Sequence, residues 1–425
     1  MSTTSSSRNR ADAVPDTTGP APSGRTATAL IAVLGALTAV SPLATDMYVP
    51  GFPALGRALG ASGSAVQLTM TAFLAGLVVG QLVIGPLSDG LGRRRLLITG
   101  SAGFVLCSVA CAAAPDITVL TGARFLQGVA GAAGLVLARA VLTDHFHGAE
   151  LPRYFAVLSQ VIGVAPVVAP VLGGAVLAVS TWRTVFAVLA VLGVLLLLAV
   201  VRAVPESLPP ERRHSGGLAS AFRAMGTLLA GRTFMGYVLV VALVSAALFA
   251  YISGSSFVFE NLYGVSSTTY SLIFATNAVA MLAAGASFAR MAGRGTRLNT
   301  LLSAGVGIAL LGALAQVLLV VTVGETLAGT WITLFVTTGG IGLVFPSAMS
   351  IGQAVGRTAS GAASALLGGI QFLFGALASP LVGVFGEESS RPMALIMLGA
   401  LVAAGLALVA LARPWAGHGE PVPAA

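Results

Sequence analysis

Gly85-Pro-Leu-Ser-Asp-Gly-Leu-Gly-Arg-Arg-Arg-Leu-Leu97 separates two long apolar stretches; it is rich in glycine and arginine and holds one acid. Gly85 and Gly92 allow the chain to reverse tightly between two helix ends, and Pro86 helps to end the helix before it. Asp89 is expected at a helix N-terminus, where free amides favour an anion, or paired with Arg93 or Arg94. With Arg95 at its far side, such a loop can close and release a latch between helices where they meet water. Three arginines alone would mark only a basic loop. Glycine, acid, glycine and arginine at this spacing mark a gate.

The apolar flanks extend over the whole chain. Hydrophobic residues are 56% of 425, charged residues 8%, and the mean hydropathy is +0.95. No water-solvated surface tolerates that balance, so the chain is a polytopic membrane protein. The 53 glycines suit close helix packing in lipid. A net charge of +8 invites a nucleic-acid reading, which the distribution rejects: the arginines fall in alternate short loops and form no single basic face. Cys107 and Cys111 lie one helical turn apart in an apolar span and suit neither a disulfide framework nor a zinc site. The first apolar run is a full span long and many more follow, which argues against a cleaved leader.

About 20 apolar residues cross the hydrocarbon, and on that ruler twelve spans are predicted. The first six fall near 27–47, 66–87, 95–114, 118–143, 153–178 and 182–203. The second six fall near 233–255, 267–290, 297–322, 328–354, 359–384 and 392–413. With the N-terminus inside, the inner loops and tails hold seventeen arginines and the outer loops three: Arg57, Arg183 and Arg391. The outer side also carries Asp116, Glu325, Glu387 and Glu388. Both termini are therefore expected in the cytoplasm.

The longest polar interruption, 204–232, divides the spans six and six. The expected organisation is a disordered tail over 1–25, a bundle over 26–203, a cytoplasmic connection over 204–232, a second bundle over 233–413 and a tail over 414–425. A weak internal repeat supports it. Gly134-Leu-Val-Leu-Ala-Arg-Ala140 echoes Gly342-Leu-Val-Phe-Pro-Ser-Ala348, and Gly293-Arg294 echoes Gly92-Arg93, although Arg290 replaces Asp89. The fold class is thus all-α, with two pseudo-symmetric six-helix bundles around a midplane cavity.

Asp46 ends the first span in Ser41-Pro-Leu-Ala-Thr-Asp-Met-Tyr-Val-Pro-Gly-Phe-Pro53. An acid within a span costs about 2.5–3.5 kcal/mol on insertion scales and normally faces a cavity. An acid just outside the membrane would merely cap the helix end, and span length alone does not separate the two. Arg124, in the fourth span, lies at similar depth, roughly 9–10 Å along the axis from the outer end. A buried arginine favours a carboxylate, and pairing lowers the cost of both. Asp46 and Arg124 are therefore expected to form a titratable pair. Gln127, one turn further in, is a candidate for reading substrate or proton. Arg139 and Asp144, near the inner end of the same span, suit either a local ion pair or a second gate element.

The fifth span reads Gly163-Val-Ala-Pro166-Val-Val-Ala-Pro170-Val-Leu-Gly173-Gly174. Two prolines four residues apart remove backbone donors and bend the helix, and the flanking glycines permit close contact with a neighbour. Tyr48, Tyr251, Phe257, Asn277 and Gln371 are further cavity candidates by polarity or aromaticity. No HExxH or GxSxG occurs, and His145, His147, His214 and His418 fall in predicted loops or tails, so an intramembrane enzyme is disfavoured.

Together these runs resemble the major facilitator superfamily, and within it the Bcr/CflA type of twelve-span drug:proton antiporter, which includes bicyclomycin-resistance proteins. The likeness covers 26–413 and is strongest at Thr45–Pro53, Gly85–Leu97, Arg124–Gly131, Ala138–Ala140 with Asp144, Pro166/Pro170 and Gly361–Gly368. Gly90 departs from it, because arginine usually follows the acid there. The resemblance implies that Asp46 couples protons with Arg124 as its partner, and that the fifth-span motif seals against leak. It further implies a monomer in the bacterial cytoplasmic membrane, driven by the proton gradient without a cofactor, whose partners are protons, a small-molecule substrate and the lipid bilayer. A dedicated exporter of one metabolite would fit the same sequence.

Overall fold

The computed structural model describes residues 24–146, 150–213, 218–386 and 389–420. Outside the described residues lie the expected amino-terminal tail up to position 23, with Arg8 and Arg10, and also His147, His214, Glu387, Glu388 and 421–425. Twelve helices are long and apolar enough to cross a membrane. The first six are Arg25–Leu59, Gly63–Leu91, Arg93–Ala112, Ile117–His145, Arg153–Val179 and Trp182–Ala203. The second six are Arg232–Leu262, Ser267–Gly293, Leu298–Thr322, Leu327–Val355, Gly361–Val384 and Arg391–Ala416. No strand occurs among the described residues, so the all-α expectation holds.

Alternation of twelve spans sorts the charges by itself. Arg93, Arg94, Arg95, Arg153, Arg202, Arg232, Arg290 and Arg357 all stand at one end of the molecule, and Arg57, Arg183 and Arg391 at the other. Four helices that start at the arginine-poor end are capped by a side-chain oxygen. Ser62, Asp116, Ser266 and Thr326 accept from backbone N–H groups at the heads of the second, fourth, eighth and tenth spans, satisfying amides that the helix itself leaves free. The first span breaks after Asp46, makes a short turn, and resumes as a helix over Phe52–Leu59 that stops at Gly60, where φ is 59°.

Packing follows one rule in both halves. The second span packs on the fourth, the third on the fourth and sixth, and the first on the fifth; adding six to each number gives the packing of the other half. The fifth span against the eighth, and the second against the eleventh, join the halves and exchange under the same operation. Glycine sets the closest approaches. A Cβ on Gly76 would strike the carbonyl oxygen of Phe125, and one on Gly128 that of Phe73, so the second and fourth spans touch backbone to backbone.

Two segments outside the spans are more ordered than the sequence suggested. The connection expected over 204–232 contains a helix at Leu218–Ala230. At the end of the described chain, the Glu420 carboxylate accepts from the backbone N–H of Leu298 at 2.9 Å and of Asn299 at 2.7 Å, capping the ninth span.

Candidate functional site

The halves enclose a cavity of about 360 Å³, lined mainly by apolar side chains from both. Asp46 reaches it from the end of the first span, with Thr38, Ser41 and Thr45 on the same helix below it. The second half contributes Tyr251, Asn277 and Gln371, and the second span contributes Gln81. Asn277 Nδ2 donates to Tyr251 Oη at 3.0 Å, and Tyr251 stacks on Phe274 with ring centroids 5.3 Å apart. Ser41 Oγ, Gln81 Nε2 and Asn277 Oδ1 have no hydrogen-bond partner among the described residues. Buried polar groups left unpaired cost free energy, so these atoms are poised to receive a ligand or water.

Asp46 is only 4% exposed, and it takes part in none of the three ion pairs among the described residues. The expected pair with Arg124 is therefore not formed. Arg124 is fully buried behind an aromatic wall, its guanidinium 4.3 Å from the centroid of Tyr48, 4.2 Å from that of Phe73 and 5.6 Å from that of Phe186. Its Nη1 donates to Gln127 Oε1 at 2.6 Å, and Gln127 Nε2 donates to Ser108 Oγ at 2.7 Å. The physical reason lies at the closed end of the cavity. Arg124 shares a helix face with Leu135, which lines the cavity; eleven residues at 3.6 per turn return to within about 20°. The void stops short of Arg124, however, because aromatic rings fill that level, and cation–π contact replaces the carboxylate.

Three cavity candidates are corrected by the same packing. Tyr48 and Gln127 belong to the Arg124 cage, with Tyr48 hydrogen-bonded to Thr69 at 3.2 Å. Phe257 packs on Phe52, centroids 6.0 Å apart, at the arginine-poor end. Tyr251, Asn277 and Gln371 do line the cavity. Sequence reading missed Gln81 and took Arg139 for an ion-pair or gate residue and not for a cavity lining, although a glutamine or arginine in an apolar span was the signal that singled out Gln127 and Arg124.

The arginine-poor end is closed across the halves. Gln67 Nε2 donates to the Ser253 carbonyl at 3.2 Å, the Gly383 N–H donates to Gln67 Oε1 at 2.8 Å, and Thr71 Oγ1 donates to the Ala376 carbonyl at 3.1 Å. Among the described residues, no hydrogen bond joins the halves at the arginine-rich end. There a wider cavity of about 1040 Å³ adjoins the first, sharing Gln81, Leu135, Arg139, Ile162 and Gly368 with it. The molecule is shut at one end and open at the other.

The loop Gly85–Leu97 borders that open mouth, with a correction to its geometry. Gly85 and Pro86 are helical, because the second span continues to Leu91; the chain reverses at Gly92 alone, where φ is 94°. Asp89 consequently lies in the last turn of a helix, not at an N-terminus, and pairs with Arg93 Nη1 at 2.6 Å. Arg93 also donates to Ser88 Oγ, and its Nε reaches Asp144 Oδ2 at 3.3 Å. Asp144 is thus tied to Arg93, so the local pair with Arg139 is not formed. Glu206 of the connection accepts from the Arg93 N–H at 2.9 Å. Arg94 donates to the Val201 carbonyl at 2.8 Å, and Arg95 is exposed.

The fifth span stays a continuous helix through Pro166 and Pro170. Its glycines face neighbours, as their small size allows. A Cβ on Gly163 would come within 3.1 Å of Leu282, one on Gly173 would strike the Met47 carbonyl, and one on Gly174 would strike Ser271 of the other half.

A model described as Major Facilitator Superfamily matches residues 34–378. The chain belongs to the Major Facilitator Superfamily. This Major Facilitator Superfamily protein is accordingly a multi-pass membrane transporter and not an enzyme. It is similar to "Uncharacterized MFS-type transporter YdgK" of Bacillus subtilis (strain 168), 40% identical over 93% of this chain and 98% of that protein. It is 28% identical to "Bicyclomycin resistance protein homolog" of Haemophilus influenzae, over 88% of this chain and 93% of that one. It is 29% identical to "Multidrug resistance protein D" of Escherichia coli (strain K12), over 92% and 98%. These relatives agree with the Bcr/CflA resemblance. Among solved structures, a bacterial homologue of the human lysosomal transporter Spinster, inward-facing and unoccupied, shares the fold, with a TM-score of 0.70, 16% identity, and cover of 95% of this chain and 100% of that one.

Proposed function

We propose that this transporter exports small amphipathic compounds in exchange for protons, by alternating access, across the bacterial cytoplasmic membrane. The observation that carries the reading is Asp46, a carboxyl group without a cationic partner among the described residues, at the blind end of a mostly apolar cavity. A lone carboxylate there is costly, and either a proton or a cationic or hydrogen-bonding cargo relieves it. Exclusive occupancy by one or the other couples their fluxes. The relatives whose names refer to bicyclomycin and multidrug resistance support export of drug-like cargo.

The arginine-rich end is cytoplasmic on this reading, with both termini on that side. Cargo enters through the open mouth as Asp46 releases its proton inward. The bonds around Gln67 then separate, the Gly85–Leu97 loop closes the inner side, and Asp46 takes a proton from outside as cargo leaves. Arg124 holds Tyr48, two residues beyond Asp46, so the end of the first span is anchored while the acid changes charge. The small residues Gly163 and Gly174 keep the halves in sealed contact at the fifth span, and Gly173 lets that span lie against the end of the first. The transporter works as a monomer, and the proton gradient supplies the drive without a cofactor. One charge moving down 100 mV supplies about 2.3 kcal/mol, roughly fifty-fold accumulation of a neutral cargo.

The test is rhodamine 6G transport in proteoliposomes under an imposed pH gradient. Wild type is expected to accumulate the dye against its gradient, and Asp46→Asn to lose at least about tenfold of the gradient-driven rate. Full gradient-driven accumulation by Asp46→Asn would remove the acid from the mechanism.

A further inference from the structure

A second charged group in the cavity has no partner. Arg139 lines both the inner cavity and the wider mouth, is exposed into them, and takes part in no ion pair among the described residues. Among the described residues two carboxylates border these voids, Asp46 at the blind end and Asp89 at the mouth. Asp89 is held by Arg93 at 2.6 Å. Among the described residues the second half brings no acid to either void, and it adds another cation at the mouth in Arg357, which is exposed and in no ion pair there. The two voids together are therefore electrically lopsided, with a negative group deep inside and positive groups toward the opening.

The separation of the two ends follows from helix geometry. Gly134 of the fourth span packs on Leu37 of the first, where a Cβ would meet the Leu37 carbonyl at 2.9 Å. From that level Asp46 lies nine residues toward one end and Arg139 five toward the other. At 1.5 Å per residue the Cα atoms are about 20 Å apart along the axis, a gap that the long arginine side chain shortens.

We infer that the preferred cargo is an elongated zwitterion, bound with its amine at Asp46 and its carboxylate or other anionic group at Arg139. This rests on the export reading and specifies the cargo of the same site. Each charge of such a molecule meets its complement without protein rearrangement, whereas a simple cation must pass Arg357 and Arg139 to reach Asp46. Aromatic walls from Tyr251, Phe249, Phe274 and Phe345 suit a flat apolar middle.

The test uses 4′-(aminomethyl)biphenyl-4-carboxylic acid, whose charges sit at opposite ends of two aromatic rings, and its methyl ester, which keeps only the cation. Binding of both to full-length protein in nanodiscs at pH 7 gives a preference ratio. Wild type is expected to bind the acid about tenfold more tightly than the ester, Arg139→Gln to bring the ratio near one, and Arg139→Lys to retain most of it. Equal binding of acid and ester by wild type, no binding of the acid, or an unchanged ratio in Arg139→Gln would each overturn the inference. Rhodamine 6G accumulation by wild type in parallel liposomes keeps the two readings apart. If it persists while the ratio fails, only the cargo class falls; if it fails in wild type, the export reading falls.

Discussion

Arg124 and Arg139 stand on one helix and meet opposite conditions. Arg124, at the closed end, is walled in by Tyr48, Phe73 and Phe186, and among the described residues it pairs with no carboxylate and two of its nitrogens have no hydrogen-bond partner. Arg139, toward the open end, extends into empty space. One end of the molecule spends its charge on holding helices together, and the other leaves its charge free for a visitor. The same residue type in the same span thus says little about role until the void around it is known. On the proposed alternating-access cycle, the extent of that void changes with the state.

The sharpest way to break this contrast is to remove each side chain in turn. Arg124→Ala should lower stability by about 3 kcal/mol, since it empties a buried site and strips Gln127 Oε1 of its donor. Arg139→Ala should stay within about 0.5 kcal/mol, because the side chain is exposed and makes no ion pair among the described residues. Thermal unfolding of both variants in the same detergent decides it. A larger loss from Arg139→Ala would reverse the assignment of anchor and free charge.

The closed end can be loosened without touching either arginine. Gln67→Leu removes the two side-chain hydrogen bonds to the Ser253 carbonyl and the Gly383 N–H that tie the halves together. A cost of about 1–2 kcal/mol to the closed arrangement corresponds to a five- to thirty-fold shift toward the state open at that end. Spin labels at Ala58 and Ser266, which border one depression on the arginine-poor face from opposite halves, should report a longer distance population. An unchanged distribution would mean that packing, such as Phe52 on Phe257, closes this end by itself.

The ends also differ in how well the sequence described them. Hydropathy and arginine placement were enough for twelve spans, because lipid imposes length and polarity on every helix alike. Asp46 was legible because an acid at the end of an apolar run either faces a cavity or caps the helix. That Arg124 would meet aromatic rings in place of Asp46 was not, since depth and charge ignore the rings that lie between two helix faces. Tyr48 and Gln127 were misplaced with it. Pro86 looked like a helix end, yet only Gly92 has the positive φ that reverses the chain. The caps supplied by Glu420 and by Glu325 join segments far apart in sequence, and no local pattern announces them.

Those two caps give the mildest test, one at each end. At the arginine-poor end, Glu325 accepts from Ser389 Oγ at 2.6 Å and from the Ser390 N–H at 2.7 Å, fastening the start of the twelfth span to the start of the tenth. Burial alone would raise the Glu325 pKa, but these hydrogen bonds, a third from Ser390 Oγ, and the charge of Arg391 outweigh it and hold the carboxyl below the usual glutamate range. A group depressed in the folded state contributes stability that is fully present above its unfolded pKa and fades as pH falls through the folded value. The fastening should therefore be intact at pH 7 and weaken below about pH 4. Protection of the Ser390 amide, taken as the intrinsic exchange rate divided by the observed rate at the same pH, should fall in that acid range in wild type, and Glu325→Gln should show the lower protection already at pH 7 with little further change on acidification. If the variant at pH 7 matches wild type at pH 7, the carboxylate charge is not what holds this end, and the contrast between the two ends rests on the spans alone.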